Sequence, residues 1–154
     1  MKVEYLNAFV QAALTTCVTM LGTNASHGQL VIKKAGTQTT ADITAVLGLS
    51  GKVRGSIVLA FDHDSAEKYI AKFLGMNGKL SDGDICDGVG ELCNIIGGSA
   101  KVELNKFGLN LTISIPNVVT GKGMQVVTNQ SYPTLVVPFQ SELGLFTLEV
   151  CLMD

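Results

Sequence analysis

The chain has 154 residues, 47% of them apolar, and a net charge of −2, a length that suits one domain. Eleven basic residues against 13 acidic ones exclude the basic surface that nucleic-acid binding needs, and the apolar content excludes intrinsic disorder. Only 16% of the residues are charged, against ~25% in an average protein, and the mean hydropathy is +0.36. We therefore expect an oligomer that buries part of the apolar surface.

Targeting signals and metal motifs are missing from the sequence. No apolar stretch approaches the ~18 residues of a membrane span, and Glu4, Asn7 and Gln11 interrupt the segment that a signal peptide would need to keep apolar. The four cysteines form no Cys-x-x-Cys pair, and the two histidines are far apart, so no metal site is expected. These features predict a soluble, cytoplasmic protein without a resident metal.

The first part of the chain predicts one helix and three strands. Apolar residues recur at helical spacing over residues 4–21, and Gly22 can end that helix. Stretches rich in Val, Ile and Thr follow at residues 29–34, 40–49 and 53–61, and they are broken at Gly36 and Gly51. Because short turns join them, we expect these strands to be antiparallel neighbours.

The second part predicts two more helices and four strands. A short helix over residues 65–74 is capped at Asp62–Ser65 and ended by Gly75. After a loop over residues 76–83, a long helical pattern runs over residues 84–107, and strand patterns follow at residues 109–115, 124–129, 134–140 and 145–153. The sequence thus predicts a single α+β domain (1–154), with two long helices on a mainly antiparallel sheet. Because each long helix precedes a set of strands, the order also hints at a duplicated half.

The long second helix carries the polar residues of most interest. The chain has no Gly-x-Ser-x-Gly, His-Glu-x-x-His or phosphate-loop motif. At 100° per residue, one face of this helix collects a polar set: Asp87, Glu91, Asn94, Gly98 and Lys101. A solvated face explains such a set on most helices. Mid-helix glycine, however, costs up to ~1 kcal/mol relative to alanine, so Gly97 and Gly98 indicate close approach of other groups.

The segment from Asp87 to Lys101 resembles the signature helix of the CheC/CheX/FliY family of bacterial chemotaxis phosphatases. That pattern is Asp or Ser, three residues, Glu, two residues, Asn, and a proline just over twenty residues later. Asp87, Glu91 and Asn94 match it, and Pro116 follows Asn94 after 21 residues, about one short of the usual gap. Length, element order and motif are most similar to those of CheX.

The resemblance implies a phosphatase that removes the aspartyl phosphate of a phosphorylated CheY-type response regulator, in chemotaxis or related two-component signalling. Asn94 would enter the receiver domain's site and hold the attacking water, and Glu91 would pair with the receiver's lysine. Asp87, Gly98 and Lys101 would contact the partner. No cofactor is expected on this chain, since the receiver domain carries its own Mg²⁺.

Several alternatives remain open from the sequence. Glu4 and Asn7 repeat the Glu-x-x-Asn spacing on the first helix, which carries a second active site in CheC-like relatives, although the preceding acidic residue is absent here. The chain could instead be a non-catalytic docking module for a receiver domain or a flagellar switch component. It could also be a structural dimer domain with an accidental motif. The resemblance also implies a homodimer that continues its sheet across the interface, for which Thr40–Leu49 is a candidate edge strand.

Overall fold

The computed structural model describes residues 1–127 and 131–153. Along the chain, these residues form the following elements: α1 (Val3–Leu21), β1 (Ser26–His27), β2 (Val31–Lys33), β3 (Thr39–Ser50), β4 (Arg54–Phe61), α2 (His63–Leu74), α3 (Asp82–Asn105), β5 (Thr112–Ile113), β6 (Asn117–Val126), β7 (Thr134–Ser141) and β8 (Gly144–Met153).

The helices pack on one face of an antiparallel sheet, which confirms the predicted α+β class. In the described residues the sheet has eight strands in the order β1-β7-β8-β4-β3-β5, with β2 also pairing β7 and β6 also pairing β3. Leu47, Ile57 and Leu148 on the helix-facing side are fully buried, as are Phe9 of α1 and Val89 of α3. Burial of the apolar stripes of α1 and α3 therefore provides the main stabilisation of this layer.

The two halves of the chain follow the same plan. Strands β8 and β4 are neighbours at the centre of the sheet. Each has its hairpin partner on its outer side, β7 beside β8 and β3 beside β4. The strands that follow a long helix lie outside these hairpins. The strand β2 that follows α1 pairs with β7, and the strand β6 that follows α3 pairs with β3. Each half therefore contributes its first strands to the hairpin of the other half.

The predicted helices are present, with shifted ends. The helix predicted at residues 84–107 runs instead from Asp82 to Asn105, because the Ser81 side chain accepts a hydrogen bond from the Asp84 N–H and caps it two residues earlier. Phe107 therefore lies beyond the helix and packs edge-on against Tyr5. The helices predicted at 4–21 and 65–74 begin at Val3 and His63.

The strand predictions need larger corrections. The segment predicted at residues 29–34 does not pair with β3. It lies across the sheet and pairs with β7, so the prediction that its short connection to β3 makes the two strands neighbours was wrong. Thr40–Leu49 is not an edge, because β3 has β4 on one side and β5 and β6 on the other. Of the strand predicted at 109–115, only Thr112–Ile113 forms a strand in the structure. The strand predicted at 124–129 begins at Asn117, and its residues 128 and 129 lie outside the described residues.

A buried polar cluster on the sheet face remote from the helices shows that β3 is sharply bent. The Glu149 carboxylate accepts hydrogen bonds from the Lys33 ammonium and the Thr39 hydroxyl. In the sheet, Glu149 is aligned through β4 with Val46, seven residues after Thr39. A straight strand would place Thr39 about 23 Å further along. The beginning of β3 therefore folds back over this face.

The bend lies where the β3–β6 register shifts, between Ala41 and Ile43. There the Asp42 carboxylate accepts hydrogen bonds from the backbone N–H groups of Gly123 (2.8 Å) and His63 (2.9 Å). These two bonds, with that to Gly123 the larger cause, lower the pKa of Asp42. Asp42 thereby links the bulge in β6 to the beginning of α2.

Candidate functional site

Helix α3 is positioned by glycines that let neighbouring elements approach its backbone. A Cβ on Gly88 would lie 2.5 Å from Ile70 Cγ2 on α2, and one on Gly97 would lie 3.2 Å from Leu47 Cδ1 on β3. On the side facing β6, a Cβ on Gly90 would lie 3.1 Å from Val118 Cγ2. Contacts to three different elements therefore fix the rotation of α3 about its axis, and with it the direction of its polar face.

Gly98 is the exception among these helix glycines. A Cβ added there meets nothing within 4 Å, so packing within the described chain gives no reason for glycine at this position. The sequence places Gly98 on the polar side of the helix and makes Gly97 the better candidate for tight packing within the chain. In the structure Gly97 packs on the sheet, and Gly98 leaves open space beside it.

The edge of the sheet next to α3 is formed by the junction of β5 and β6. Ile113 pairs with Leu49 and Asn117 pairs with Val46. Three residues on this edge therefore stand opposite two on β3, an irregularity that acts as a β-bulge. The extra residue lies within the segment that ends at Pro116.

An open cavity of about 640 Å³ lies between α3 and this edge. It brings together three of the residues singled out from the sequence, Asp87, Glu91 and Asn94, and places Pro116 in the opposite wall. Its remaining lining residues are Cys86, Gly90, Ile113, Ser114, Ile115 and Val118. The motif spacing thus corresponds to one site in space, with the helix supplying polar groups and the strand edge supplying a mostly apolar wall.

Glu91 and Asn94 are available to a partner molecule. Glu91 is exposed and Asn94 partly so, and within the part of the chain that the structure describes neither side chain has a hydrogen bond or an ion pair. Being three residues apart on a helix, they are neighbours on its surface. A carboxylate and an amide that are fixed by a rigid helix and left unpaired can bind polar groups brought in from outside.

The remaining predicted residues lie outside this cavity. Gly98 and Lys101 continue the same face of α3 towards its C-terminal end, and both are partly exposed. Glu4 and Asn7 are exposed on α1, and the cavity at that end of α1 is lined by Val3 and Leu6 among others, and not by them. The polar groups of the repeated spacing therefore do not line the cavity beside them.

The cysteine next to Asn94 is not available as a nucleophile. Cys93 precedes Asn94, but it is fully buried, and burial raises its pKa to about 12. It therefore stays a thiol at neutral pH. In residues 1–127 and 131–153, no group of three His, Cys, Asp or Glu side chains could hold a metal ion, and no helix is long and apolar enough to cross a membrane.

The strand-edge wall is the part of the site that sequence reasoning missed, apart from Pro116. Ser114, Ile115 and Val118 carry no motif, and the strand that contains Val118 was predicted to begin later, at residue 124. The signal that could have found it is the Val118–Val119 pair, which follows Pro116 after one residue, Asn117.

Comparison with known proteins shows which family this chain belongs to. The family model described as chemotaxis phosphatase CheX matches residues 43–140, which is 98 of the 154 residues and includes Glu91, Asn94 and Pro116. The chain belongs to the CheX family.

Individual relatives of this CheX-family protein support the same assignment. It is 25% identical over 131 residues, 82% of this chain and 81% of the relative, to the CheY-P phosphatase CheX of Thermotoga maritima. The crystal structure of the chemotaxis protein CheX from Desulfovibrio desulfuricans superposes with a TM-score of 0.90 at 31% identity, covering 98% of this chain and all of that one.

The fold also matches CheX of Borrelia burgdorferi in its complex with CheY, BeF₃ and Mg²⁺. The TM-score is 0.83 at 23% identity, and the match covers 99% of this chain and all of that one.

Proposed function

We propose that this CheX-family protein dephosphorylates the aspartyl phosphate of a CheY-type response regulator, with Asn94 positioning the attacking water. The observation that carries the proposal is the joint placement of Glu91 and Asn94, unpaired, in one open cavity opposite Pro116. The family assignment supports it, and so does the activity named for the Thermotoga relative. The Borrelia complex supports a CheY-type partner for this fold.

The reaction needs a positioned water more than it needs a nucleophile from this chain. Water oxygen bonds to phosphorus, the bond between phosphorus and the aspartyl oxygen breaks, and the products are the free carboxylate and inorganic phosphate, which keeps the water protons. The transition state gains mainly from alignment of the attacking and leaving oxygens. The Asn94 amide oxygen can accept a hydrogen bond from that water and hold it in line.

Glu91 is proposed to fix the register of docking. Its carboxylate lies one helical turn before Asn94, where it can pair with a lysine of the receiver domain's phosphate site. Asp87, Gly98 and Lys101 extend the same face and are proposed as further partner contacts. Any Mg²⁺ in the assembled site is assigned to the receiver domain, and none to this chain.

Two further proposals concern the state of the protein. A homodimer accounts for the low charge content, and sedimentation at micromolar concentration tests it. A cytoplasmic location follows from the proposed substrate, because receiver domains are phosphorylated there.

The direct test measures phosphate loss from a phosphorylated CheY-type receiver with Mg²⁺, with and without this protein. We expect Asn94→Ala to lower the acceleration on the order of 100-fold, as for a misplaced reactant, while binding persists. Asn77→Ala, an exposed asparagine in the loop after α2, is the matched control and should behave as wild type. Asn7→Ala tests the second Glu-x-x-Asn pair and should retain the wild-type rate if α3 alone is catalytic.

Each remaining outcome selects an alternative. Binding without acceleration by wild type would indicate a docking module. No binding to any cognate receiver would leave a structural domain with an accidental motif. An Asn94→Ala variant as fast as wild type would refute water positioning by this residue.

A further inference from the structure

The bulge between β5 and β6 is held rigidly in place. The Ser114 N–H donates to the Gly48 carbonyl oxygen (2.9 Å), and the Gly48 N–H donates back to Ser114 Oγ (2.8 Å). Pairing of Ile113 with Leu49 and of Asn117 with Val46 fixes the chain on both sides. The backbone at residue 115 is therefore constrained from both ends as well as through Ser114.

This bulge displays Ile115 at the rim of the candidate site. The side chain is 87% exposed, the largest fraction among the large apolar side chains that the structure describes, and it lines the same cavity as Glu91 and Asn94. Single exposed apolar residues are common and usually need no explanation. This one differs in being carried on a fixed bulge directly across the cavity from the catalytic candidates, and bulges of this kind often re-aim a side chain next to an active site.

Ile115 contributes little to the fold of its own chain. A side chain so exposed buries almost no apolar surface on folding, so its truncation should leave stability unchanged. Its apolar surface becomes useful only when another molecule covers it. The molecule that enters this cavity under the proposed function is a receiver domain, and its approach to Asn94 brings it against the strand-edge wall.

We propose that Ile115 is the apolar docking contact that seats the receiver domain beside its phosphoaspartate. This inference rests on the proposed function, whose partner it shares. The receiver offers an apolar side chain or backbone surface bordering its phosphorylation site, and Ile115 packs on that surface while α3 enters from the other side. Contacts on both walls of the cavity hold the receiver domain against α3, whose own orientation is set by its packing within this chain.

A contact of this kind affects binding more than chemistry. The packing of Ile115 is the same before and during phosphoryl transfer, so its loss should raise KM and leave kcat nearly unchanged. Asn94 should show the reverse pattern. The split between KM and kcat therefore distinguishes a docking residue from a water-positioning residue.

The test compares Ile115→Ala and Ile115→Ser with Ile32→Ala. Ile32 is a matched control, because it is an isoleucine with 70% exposure on β2, which pairs at the opposite end of the sheet. For the Ile115 variants we expect KM for the phosphorylated receiver to rise on the order of 10-fold or more, as for three lost methyl or methylene contacts. The value of kcat should stay within about twofold and the unfolding midpoint should not change. Ile32→Ala should match wild type.

A direct affinity measurement separates this inference from the proposed function. The dissociation constant for a receiver loaded with BeF₃⁻ and Mg²⁺ should rise in the Ile115 variants by the same factor as KM. If wild type binds this receiver without accelerating dephosphorylation, the proposed function fails, and the Ile115 affinities still decide the docking role. Unchanged affinity in Ile115→Ala and Ile115→Ser, an equal loss in Ile32→Ala, or no binding by wild type would overturn the inference.

Discussion

Replacing Gly98 by alanine should make the protein more stable and a poorer phosphatase. Glycine in a helix interior costs about 0.5–1 kcal/mol relative to alanine, and a Cβ at this position meets nothing within 4 Å. Nothing in the described chain offsets the gain. We therefore expect Gly98→Ala to raise the free energy of unfolding by up to about 1 kcal/mol.

The expected shift in thermal stability follows from the size of the chain. At roughly 2.1 cal/mol/K per residue, 154 residues give an unfolding entropy of about 0.3 kcal/mol/K. A gain of about 1 kcal/mol then raises the unfolding midpoint by about 3 °C, which calorimetry measures readily. Gly88→Ala is the matched control of opposite sign, because its Cβ would lie 2.5 Å from the buried Ile70 side chain. We expect it to lose about 1–3 kcal/mol by overpacking.

The same substitution should also weaken activity, because Gly98 is proposed to contact the receiver domain. Gly98 lies one helical turn after Asn94 on the face proposed to meet the receiver, so a methyl group there should hold the two surfaces apart. We expect Gly98→Ala to lower the dephosphorylation rate at subsaturating receiver by about 10-fold while the midpoint rises. A stabilised variant with wild-type activity would refute partner contact at Gly98, and a destabilised one would refute the open space beside it.

Three further predictions concern the buried cluster, the thiols and the bend in β3. Lys33→Met should cost about 3–5 kcal/mol in urea unfolding, because the buried carboxylate of Glu149 loses its counter-charge. A thiol reagent at pH 8 should label Cys86 and slow dephosphorylation, whereas Cys93, whose pKa burial raises to about 12, should react only on unfolding. The pKa of Asp42 is lowered in the folded state, so its ionised carboxylate stabilises the fold at pH values above the ordinary carboxyl pKa. This stabilisation is lost as the pH falls below that value and through the lowered pKa of the folded state. Asp42→Asn should thus lower the midpoint at pH 7 and cost progressively less towards pH 3.

Controls for these predictions come from the same chain. Lys106→Met breaks the exposed pair with Glu103 and should cost less than about 0.5 kcal/mol, so an equal loss in both lysine variants would contradict the reasoning from burial. Faster labelling of Cys93 than of Cys86 in the native protein would contradict the placement of the two thiols. A midpoint difference between wild type and Asp42→Asn that grows on acidification would contradict the sign of the pKa shift.

Local pattern was sufficient for much of the fold and for one wall of the site. Helical spacing and capping residues located three helices to within two residues at each end, because both signals act over one or two turns. The same local periodicity placed Asp87, Glu91 and Asn94 on one face of a helix. Only the family motif linked these residues to Pro116. Local periodicity could not, because Pro116 is far from them in the sequence and lies outside the helix.

Only the tertiary structure decided which strands are neighbours and what stands opposite the helix. A short connection suggested that the segments flanking Gly36 were paired, yet the bend in β3 and the exchange of first strands between the halves place β2 on β7. Strand alternation reports which face is buried and carries no information on the partner strand. The sequence alone determined which polar residues share one face of α3, because helical spacing is a local property. The rigid bulge that presents Ile115 to the same cavity depends on long-range pairing with β3, which strand alternation does not report.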